Sequence, residues 1–208
     1  MQNSKFCQSA NKSVVAAFDF DGTITTRDSL PYFLKFCSGW FKTILILFLH
    51  IPKFIICLFG GLSRQQVKES LIKSFFYGMP IHALKEKGSE FAKTALKPLL
   101  KEKSLVKLRE HQALHHRCIL VSANLDVYLN AFAKEYGFDD CLCSEVGFDN
   151  EGKVTGKLNG LNCWGKEKTT RLKRLLGNKE DYILYAYGDS RGDQEMLALS
   201  DHPFYREI

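Results

Sequence analysis

Three short apolar segments stand out along the chain, and polar residues or glycine follow each of them: residues 14–20, 118–122 and 182–187. Short, continuous apolar runs of this kind are typical of parallel strands that are buried on both faces. Between the second and third runs, two segments have helical spacing and end at Gly137 and Gly177, where helices commonly stop. This alternation predicts an α/β fold with a doubly wound, Rossmannoid parallel sheet.

The segment before the last strand and helix follows a different pattern. Residues 145–158 contain two short alternating runs on either side of a polar turn, which predicts a β-hairpin. The stretch between the first two strands is much longer, and its apolar residues recur at helical intervals. Its three predicted helices span residues 62–76, 81–96 and 99–114.

A helical insertion of this length predicts a cap on the α/β core. Residues 1–28 and 112–208 would form the core, and residues 29–111 a helical cap inserted after the first strand. Ser63 and Gln66 have the spacing of a capping box at the start of one cap helix.

One part of this cap, residues 41–59, is almost entirely apolar and approaches the length of a membrane span. A simple membrane span would place the chain segments before and after it on opposite sides of the bilayer, which disfavours a span because both segments belong to the predicted core. Pro52 also disfavours one continuous helix. Two interpretations are favoured over a span: a helical hairpin buried in the cap or an oligomer interface, and a hairpin that dips into a membrane surface.

Composition and charge narrow the classes of partner. The 208 residues carry a net charge of +6, with basic residues spread along the chain, so solvated helix faces are favoured over nucleic-acid binding. A mildly positive surface would still attract phosphorylated substrates or an anionic membrane. Seven cysteines lack the spacing of a metal site or a disulfide framework, and residues 1–12 lack the apolar region of a signal peptide. A reducing, cytoplasmic compartment is therefore predicted.

Two carboxylates lie two residues apart where the first predicted strand ends, in Asp19-Phe20-Asp21-Gly22-Thr23. Alternate residues of an extended strand point to the same side, so Asp19 and Asp21 would bring two like charges together. Oxygen ligands of this kind suit Mg²⁺. For this segment alone, a turn built on Asp-Gly is the alternative interpretation.

The other predicted parallel strands also end in polar side chains. The second ends at Ser122-Ala123-Asn124, and the last leads into a loop that holds Asp189 and Asp193. Ligands of open α/β sheets bind beyond the carboxyl ends of the strands, so these groups would meet at one edge. Lys166 or Lys168, at the start of the preceding helix, would reach the same edge and offset the negative charge.

This set of groups suits phosphoryl transfer. A carboxylate can act as the nucleophile and form an acyl-phosphate, while a second carboxylate donates a proton to the leaving alcohol and then accepts one from water. Mg²⁺, a lysine, a hydroxyl and backbone N–H groups hold the phosphoryl oxygens. Taken singly, Ser122 could also be a helix cap, and Lys168 could be a surface lysine. The prediction of phosphoryl transfer therefore depends on the order of these groups along the chain and on their positions at strand ends.

These segments resemble the four motifs of the haloacid dehalogenase superfamily. The matching residues are Asp19-Phe20-Asp21-Gly22-Thr23, Leu120-Val121-Ser122, Lys166-Glu167-Lys168 and Gly188-Asp189-Ser190-Arg191-Gly192-Asp193. The first and fourth motifs are specific, and the likeness covers nearly the whole chain. The helical insertion after the first motif resembles the cap of the phosphoserine-phosphatase-like subfamily.

The resemblance implies a role for each matching residue. Asp19 would be the nucleophile and Asp21 the acid/base. Ser122 would bind the phosphoryl group with Lys168, which is favoured over Lys166 because residues 165–168 resemble a Gly-x-x-Lys pattern. The implied Mg²⁺ ligands are Asp19, Asp21 (through its main-chain carbonyl), Asp189 and Asp193. The implied substrate contacts are Gly22, Thr23, Asp28, Ala123 and Asn124.

Departures from the subfamily bear on the substrate. Phosphoserine phosphatases usually carry a glutamate shortly after the first motif, where this chain has Asp28, and their caps lack a segment like residues 41–59. That segment is similar to the phosphatidylglycerophosphatase C branch. The resemblance thus implies an Mg²⁺-dependent phosphomonoester hydrolase that forms an aspartyl-phosphate and acts on a membrane-associated or lipid phosphate, at the inner face of the membrane.

Two alternatives remain open at this point. The first is a soluble small-metabolite phosphatase of the phosphoserine type, with residues 41–59 packed inside the cap. The second is a non-catalytic interaction protein with the same fold, which is disfavoured because Asp19, Asp21, Lys168 and Asp189 are all present.

Overall fold

A computed structural model describes residues 12–208, so nearly all of the polar amino-terminal stretch lies outside the described part. Its strands are β1 (Ser13–Phe18), β2 (Arg117–Leu125), β3 (Asp140–Ser144), β4 (Val146–Phe148), β5 (Val154–Leu158), β6 (Tyr182–Gly188) and β7 (His202–Tyr205). Its helices are α1 (Leu30–Ser38), α2 (Trp40–Leu58), α3 (Arg64–Phe76), α4 (Ile81–Lys93), α5 (Glu102–Ala113), α6 (Asp126–Glu135), α7 (Lys166–Leu176) and α8 (Gln194–Leu199).

The predicted α/β fold with a parallel sheet is confirmed. Within residues 12–208, five strands form one sheet in the order β3-β2-β1-β6-β7, and every neighbouring pair is parallel. The predicted hairpin is the separate antiparallel pair of β4 and β5. The capping box at the start of α3 is also present, since the side chains of Ser63 and Gln66 each accept a backbone N–H of the other residue.

The sheet is buried on both faces, and β1 at its centre alternates between two apolar layers. Ala16 and Phe18 pack into the layer that contains residues of α5 and α6, such as Leu108 and Phe132. Val15 and Ala17 pack into the opposite layer, with residues of α7 and α8. Burial on both faces explains why this strand is a continuous apolar run in the sequence rather than an alternating one.

The edge strands β3 and β7 and the helix α1 were not predicted. The β3 sequence is only five residues long and includes a charged residue and a serine, because one side of an edge strand stays partly exposed. The β7 strand is four residues long and contains Pro203, which edge strands tolerate. Neither segment has the apolar run that identified the central strands.

The prediction of a helical hairpin at residues 41–59 is wrong, because α2 is a single helix that continues through Pro52. Proline lacks the N–H that would bond to the carbonyl of Phe48, but this side of the helix is exposed, where a missing bond is tolerated best. Two residues before Pro52, His50 fixes the helix to α3. Its Nδ1 lies 2.8 Å from the Ile46 carbonyl oxygen, and its Nε2 lies 3.1 Å from Ser70 Oγ.

The alternative that this segment is buried inside the cap is also wrong. In α2 only Thr43 and His50 are buried. The exposed large apolar residues of α2 and its carboxyl end are Trp40, Phe41, Ile44, Leu45, Phe48, Leu49, Ile51, Phe54, Ile55, Ile56, Leu58 and Phe59. In the described part of the chain, α2 alone is long and apolar enough to cross a membrane, by length and composition only.

The helices that follow α2 hold the cap against the core. Gly88 of α4 lies so close to α6 that a Cβ atom there would come within 1.9 Å of the Val127 carbonyl oxygen. Glu69 of α3 accepts hydrogen bonds from Lys157 Nζ at 2.9 Å and from the Leu158 N–H at 3.3 Å, both in β5. The α3 helix therefore packs against the β4–β5 hairpin.

Candidate active site

The first side chain beyond β1 belongs to Asp19, whose N–H donates to the carbonyl of Tyr187 in β6 at 2.9 Å. The chain then turns sharply, and Gly22 adopts a φ of 78°, in the left-handed region that favours glycine. A Cβ atom at Gly22 would lie 2.1 Å from Asp189 Oδ2. Only glycine lets this turn approach the loop after β6 so closely.

A buried lysine joins three segments of the site. Lys168 Nζ, on the first turn of α7, lies 2.5 Å from Asp19 Oδ1, 2.6 Å from Asp193 Oδ1 and 2.9 Å from the Val121 carbonyl oxygen. Burial alone would lower the pKa of Lys168, but the two carboxylates outweigh burial and hold that pKa above its usual range. Lys166, the other candidate from the sequence, is exposed.

Asp193 anchors the loop that follows β6. Its Oδ2 accepts hydrogen bonds from the Ser190 N–H at 3.0 Å and the Ser190 hydroxyl at 2.7 Å. Burial would raise the pKa of Asp193, but Lys168 and these hydrogen bonds lower it below its usual range. Asp193 is therefore charged at neutral pH and holds both Lys168 and the loop of Asp189.

Three carboxylates converge beside Lys168. One oxygen from each of Asp19, Asp189 and Asp193 lies within 4.8 Å of the others. Burial raises the pKa of Asp19 to about 7, against the lowering effect of Lys168, and burial also raises the pKa of Asp189. The Oδ1 atom of Asp189 is buried and has no hydrogen-bond partner in the described residues. A buried oxygen without a partner beside two other carboxylates fits a hard divalent cation such as Mg²⁺.

Asp21 lies in a network of its own. Its Oδ2 accepts from Asn124 Nδ2 at 2.5 Å, and its Oδ1 accepts from the Ser29 N–H at 2.9 Å. Burial raises the pKa of Asp21 to about 6, although these hydrogen bonds lower it. The Ser29 hydroxyl continues the network to the hydroxyl of Tyr128 at 3.0 Å. A carboxyl group with this pKa can exchange a proton near neutral pH.

A family model of haloacid dehalogenase-like hydrolases matches residues 16–198 of this chain. The chain belongs to this family. This hydrolase is 31% identical over 198 residues to Protein CicA from Caulobacter vibrioides, an alignment that covers 94% of this chain and 87% of the relative.

Solved structures share the fold of the hydrolase at lower identity. A Bordetella pertussis Tohama I protein of unknown function has a TM-score of 0.76 and 21% identity, covering 90% of this chain and 86% of that chain. A substrate-bound phosphoserine phosphatase has a TM-score of 0.61 and 18% identity, covering 91% of this chain and 83% of that chain. The fold is thus that of the phosphoserine-phosphatase-like members of the superfamily.

A cavity of about 260 Å³ in the hydrolase brings most of the sequence-predicted residues together. Those that line it are Asp19, Asp21, Asp28, Ser122, Ala123, Asn124, Lys168 and Asp189. Ser122 is almost fully buried, and its hydroxyl accepts the Asn124 N–H at 3.1 Å. Asp193 lies behind this wall, and Gly22 and Thr23 are not among the residues of the described chain that line the cavity.

Sequence reasoning missed the cap residues of the site. Arg64 and Lys68, one turn apart on α3, line an adjoining cavity of about 340 Å³, together with Asp21, Asp28 and Trp164. The Arg64 guanidinium lies 4.6 Å from the centre of the Trp164 ring. A basic pair at this spacing on a helix looks like a solvated face, so the sequence carries no signal that separates it from surface lysines and arginines.

A larger cavity of about 780 Å³ lies at the opposite end of the sheet, where β2 begins at Arg117. None of the carboxylates described above lines it. The candidate active site is therefore the smaller polar cavity at the carboxyl ends of the strands, where ligands of open α/β sheets bind.

Proposed function

We propose that this hydrolase cleaves phosphomonoesters through an aspartyl-phosphate, with Asp19 as the nucleophile and Asp21 as the acid/base. The observation that carries the proposal is the position of Lys168 Nζ, which lies within hydrogen-bond distance of the Asp19 carboxylate and of the end of β2. A cation at this position would hold a phosphoryl group next to the nucleophilic oxygen.

In the first step, a carboxylate oxygen of Asp19 forms a bond to phosphorus as the bond from phosphorus to the ester oxygen breaks. Asp21 donates its proton to the departing alcohol, a role that suits a carboxyl group with a pKa of about 6. In the second step, Asp21 accepts a proton from water as the water attacks phosphorus, and the Asp19 carboxylate is released with orthophosphate. Lys168 and the Ser122 hydroxyl hold the phosphoryl oxygens in both steps.

Mg²⁺ fits the carboxylates of Asp19, Asp189 and Asp193, with the main-chain carbonyl of Asp21 as a further ligand implied by the resemblance. When bound, the ion supplies positive charge for the phosphoryl oxygens. The residues of the chain then have separate tasks: Asp193 orients Lys168, and Gly22 keeps the turn after β1 close to Asp189.

The proposal is tested by a substrate screen with purified protein, with and without Mg²⁺. The substrates are p-nitrophenyl phosphate, phosphoserine, lysophosphatidate and phosphatidylglycerophosphate. We expect Mg²⁺-dependent release of orthophosphate from at least one of them. Absence of release from all four in the presence of Mg²⁺, or full activity in a chelator, would contradict the proposed reaction.

Replacing Gly22 by alanine is expected to raise the Mg²⁺ concentration for half-maximal activity by about tenfold or more. The new Cβ atom would lie 2.1 Å from Asp189 Oδ2 and would push that carboxylate out of position. Titration of activity against Mg²⁺ measures the effect. Gly152→Ala is the matched control, because Gly152 has a similar φ of 74° but nothing within 4 Å of its added Cβ. Equal Mg²⁺ dependence in the two variants would refute the explanation.

We propose further that the substrate is an amphiphilic phosphomonoester, such as a lipid phosphate, held at a membrane surface. The 340 Å³ cavity runs from polar residues near Asp21 to Leu47, Phe54 and Cys57 of α2. A ligand with a phosphoryl group at one end and an apolar chain at the other matches both ends of this cavity.

The α2 helix is the proposed contact with an anionic bilayer. Its exposed apolar residues are too numerous for a surface in water, and Trp40 stands at its amino end, as aromatic residues do at membrane interfaces. Because α1 and α3 pack against α2 and hold Thr43 and His50 towards the protein, the helix would lie along the interface. A second candidate, a small-metabolite phosphatase, is favoured by the small size and polar lining of the 260 Å³ cavity.

Replacing Phe48 by glutamate is expected to reduce binding to anionic phospholipid vesicles by about tenfold or more, because a charge would replace an apolar side chain that is 66% exposed on α2. Vesicle sedimentation measures the change. Phe148→Glu, at a 54% exposed phenylalanine on the β4–β5 hairpin, is the control and should bind like the wild type. Hydrolysis of p-nitrophenyl phosphate should be unchanged in both variants. If the wild type does not bind vesicles, the membrane proposal fails and the small-metabolite alternative is favoured.

A further inference from the structure

The end of β2 that lines the polar cavity departs from regular strand pairing. The register between β2 and β3 shifts between Val121 and Leu125, so residues 122–124 form a bulge. This bulge contains Ser122, which the proposed function assigns to the phosphoryl group. A bulged segment loses the support of regular strand pairing, so other contacts must fix its conformation.

Two lysines donate hydrogen bonds to main-chain carbonyl groups at this bulge, one just before it and one within it. Lys168 of the core donates to the Val121 carbonyl at 2.9 Å. Lys68 of the cap helix α3 donates to the Ala123 carbonyl, and also to Asn162 Oδ1 at 2.6 Å. Asn162 precedes α7, the helix that carries Lys168. Lys68 therefore links the cap to two core segments that border the cavity.

The charge environment of Lys68 is unusual for a structural lysine. Both of its acceptors are neutral oxygens, and in residues 12–208 no carboxylate forms an ion pair with it. Burial lowers the pKa of Lys68 to about 8, which reflects the cost of holding a charge there. This desolvation cost opposes the gain from the two hydrogen bonds, so a net contribution to stability is a weak explanation for a lysine here.

We propose that Lys68 is a positioning residue that holds the bulged end of β2, through the Ala123 carbonyl, in the conformation that receives a phosphoryl group. The inference rests on the proposed function for the identity of the bound group. It assigns the cap a part in phosphoryl binding, because the contact with Ala123 exists only while α3 is docked on the core.

Binding of inorganic phosphate in the presence of Mg²⁺ tests this inference without requiring turnover. Trp164 lines the cavity, and in a Trp40→Phe background it is the only tryptophan of the chain, so its fluorescence is the signal. In Lys68→Met the dissociation constant for phosphate should rise about tenfold, as expected when a charged hydrogen-bond donor is lost. Lys68→Arg, which keeps the charge and the donors, should stay within about threefold of the wild type.

Two controls separate positioning from general damage. Lys73→Met removes an exposed lysine from the same helix and should leave phosphate binding unchanged. Lys68→Met should lower the unfolding temperature by no more than about 4 °C, because removal of the buried charge offsets most of the cost of losing the hydrogen bonds to the Ala123 carbonyl and Asn162 Oδ1. A fall in unfolding temperature large enough to account for the loss of binding would overturn the inference, as would normal phosphate binding by Lys68→Met.

A double-mutant cycle with Ser122→Ala distinguishes positioning from direct contact with phosphate. If Lys68 acts through the bulged segment, the effect of Lys68→Met should shrink when the Ser122 hydroxyl is already absent. Additive effects would overturn the positioning role. Phosphate binding that depends on Lys68 in a protein that hydrolyses no phosphomonoester would refute the proposed function alone. A wild type that binds no phosphate would refute this inference.

Discussion

Asp19→Asn is expected to lower the turnover of phosphomonoesters by about four orders of magnitude or more, because the amide cannot form the acyl-phosphate. The substitution preserves the shape of the side chain, and its remaining oxygen can still accept from Lys168 Nζ, as Asp19 Oδ1 does at 2.5 Å. Steady-state kinetics with p-nitrophenyl phosphate at saturating Mg²⁺ measure the loss. Mass spectrometry of acid-quenched wild-type enzyme should find the phosphoryl group on Asp19 during turnover.

The loss should not come from unfolding. Burial raises the pKa of Asp19 to about 7, so the folded protein disfavours the charge that the substitution removes, and the free energy of unfolding should not fall. Asp140→Asn is the matched control, since Asp140 is the first residue of the edge strand β3 and pairs with Arg117 at the end of the sheet opposite to the candidate site. Its activity should equal that of the wild type. Substantial activity in Asp19→Asn would exclude the covalent mechanism.

Lys168→Met is expected to abolish measurable activity and to lower the free energy of unfolding by about 3 kcal/mol or more near neutral pH. The lysine side chain is only 2% exposed and lies between Asp19 and Asp193. Without it, two buried carboxylates face each other with no cation between them. Urea denaturation in metal-free buffer measures the change. Lys166→Met, at an exposed position on the same helical turn, should change stability by no more than about 0.5 kcal/mol.

The difference in the free energy of unfolding between the wild type and Lys168→Met should become smaller as the pH falls. In the wild type, Lys168 lowers the pKa of Asp193, so this ion pair contributes stability above the ordinary titration range of a carboxyl group and loses it on acidification. In the variant, the buried carboxylates should have raised pKa values, and the folded state then gains stability by binding protons as the pH falls. A deficit that stays constant between about pH 7 and pH 5 would contradict this account.

The central strands and the strand-end chemistry could be predicted from the sequence because one physical cause produces both signals. A strand buried on both faces must be continuously apolar, so the first polar residues after it, such as Asp19 and Asp189, mark the edge where ligands bind. The edge strands β3 and β7 lacked this signal because one side of each is exposed or unpaired. Their sequences are short and mixed, as in Asp140–Ser144.

Two other features could not be predicted because their cause lies in tertiary packing. The continuity of α2 depends on contacts of His50 with α3 and on the exposure of the helix around Pro52, and neither is visible in local sequence. Arg64 and Lys68 look like ordinary helix-surface residues until α3 docks beside the bulge of β2. Arg64 contacts the ring of Trp164, and Lys68 donates hydrogen bonds to Ala123 and Asn162. These partners are distant in sequence, and the spacing of residues within one helix carries no information about them.

The central place of β1 in the sheet has a consequence for the order in which the protein can fold during synthesis. The neighbours of this strand, β2 and β6, begin at Arg117 and Tyr182, long after β1 itself. Pairing therefore requires the closure of very long loops, which makes sheet formation a slow and late event. The apolar α2 leaves the ribosome before either partner strand of β1 has been synthesised. The nascent chain therefore exposes an apolar helix well before Asp19 and Asp189 can come together.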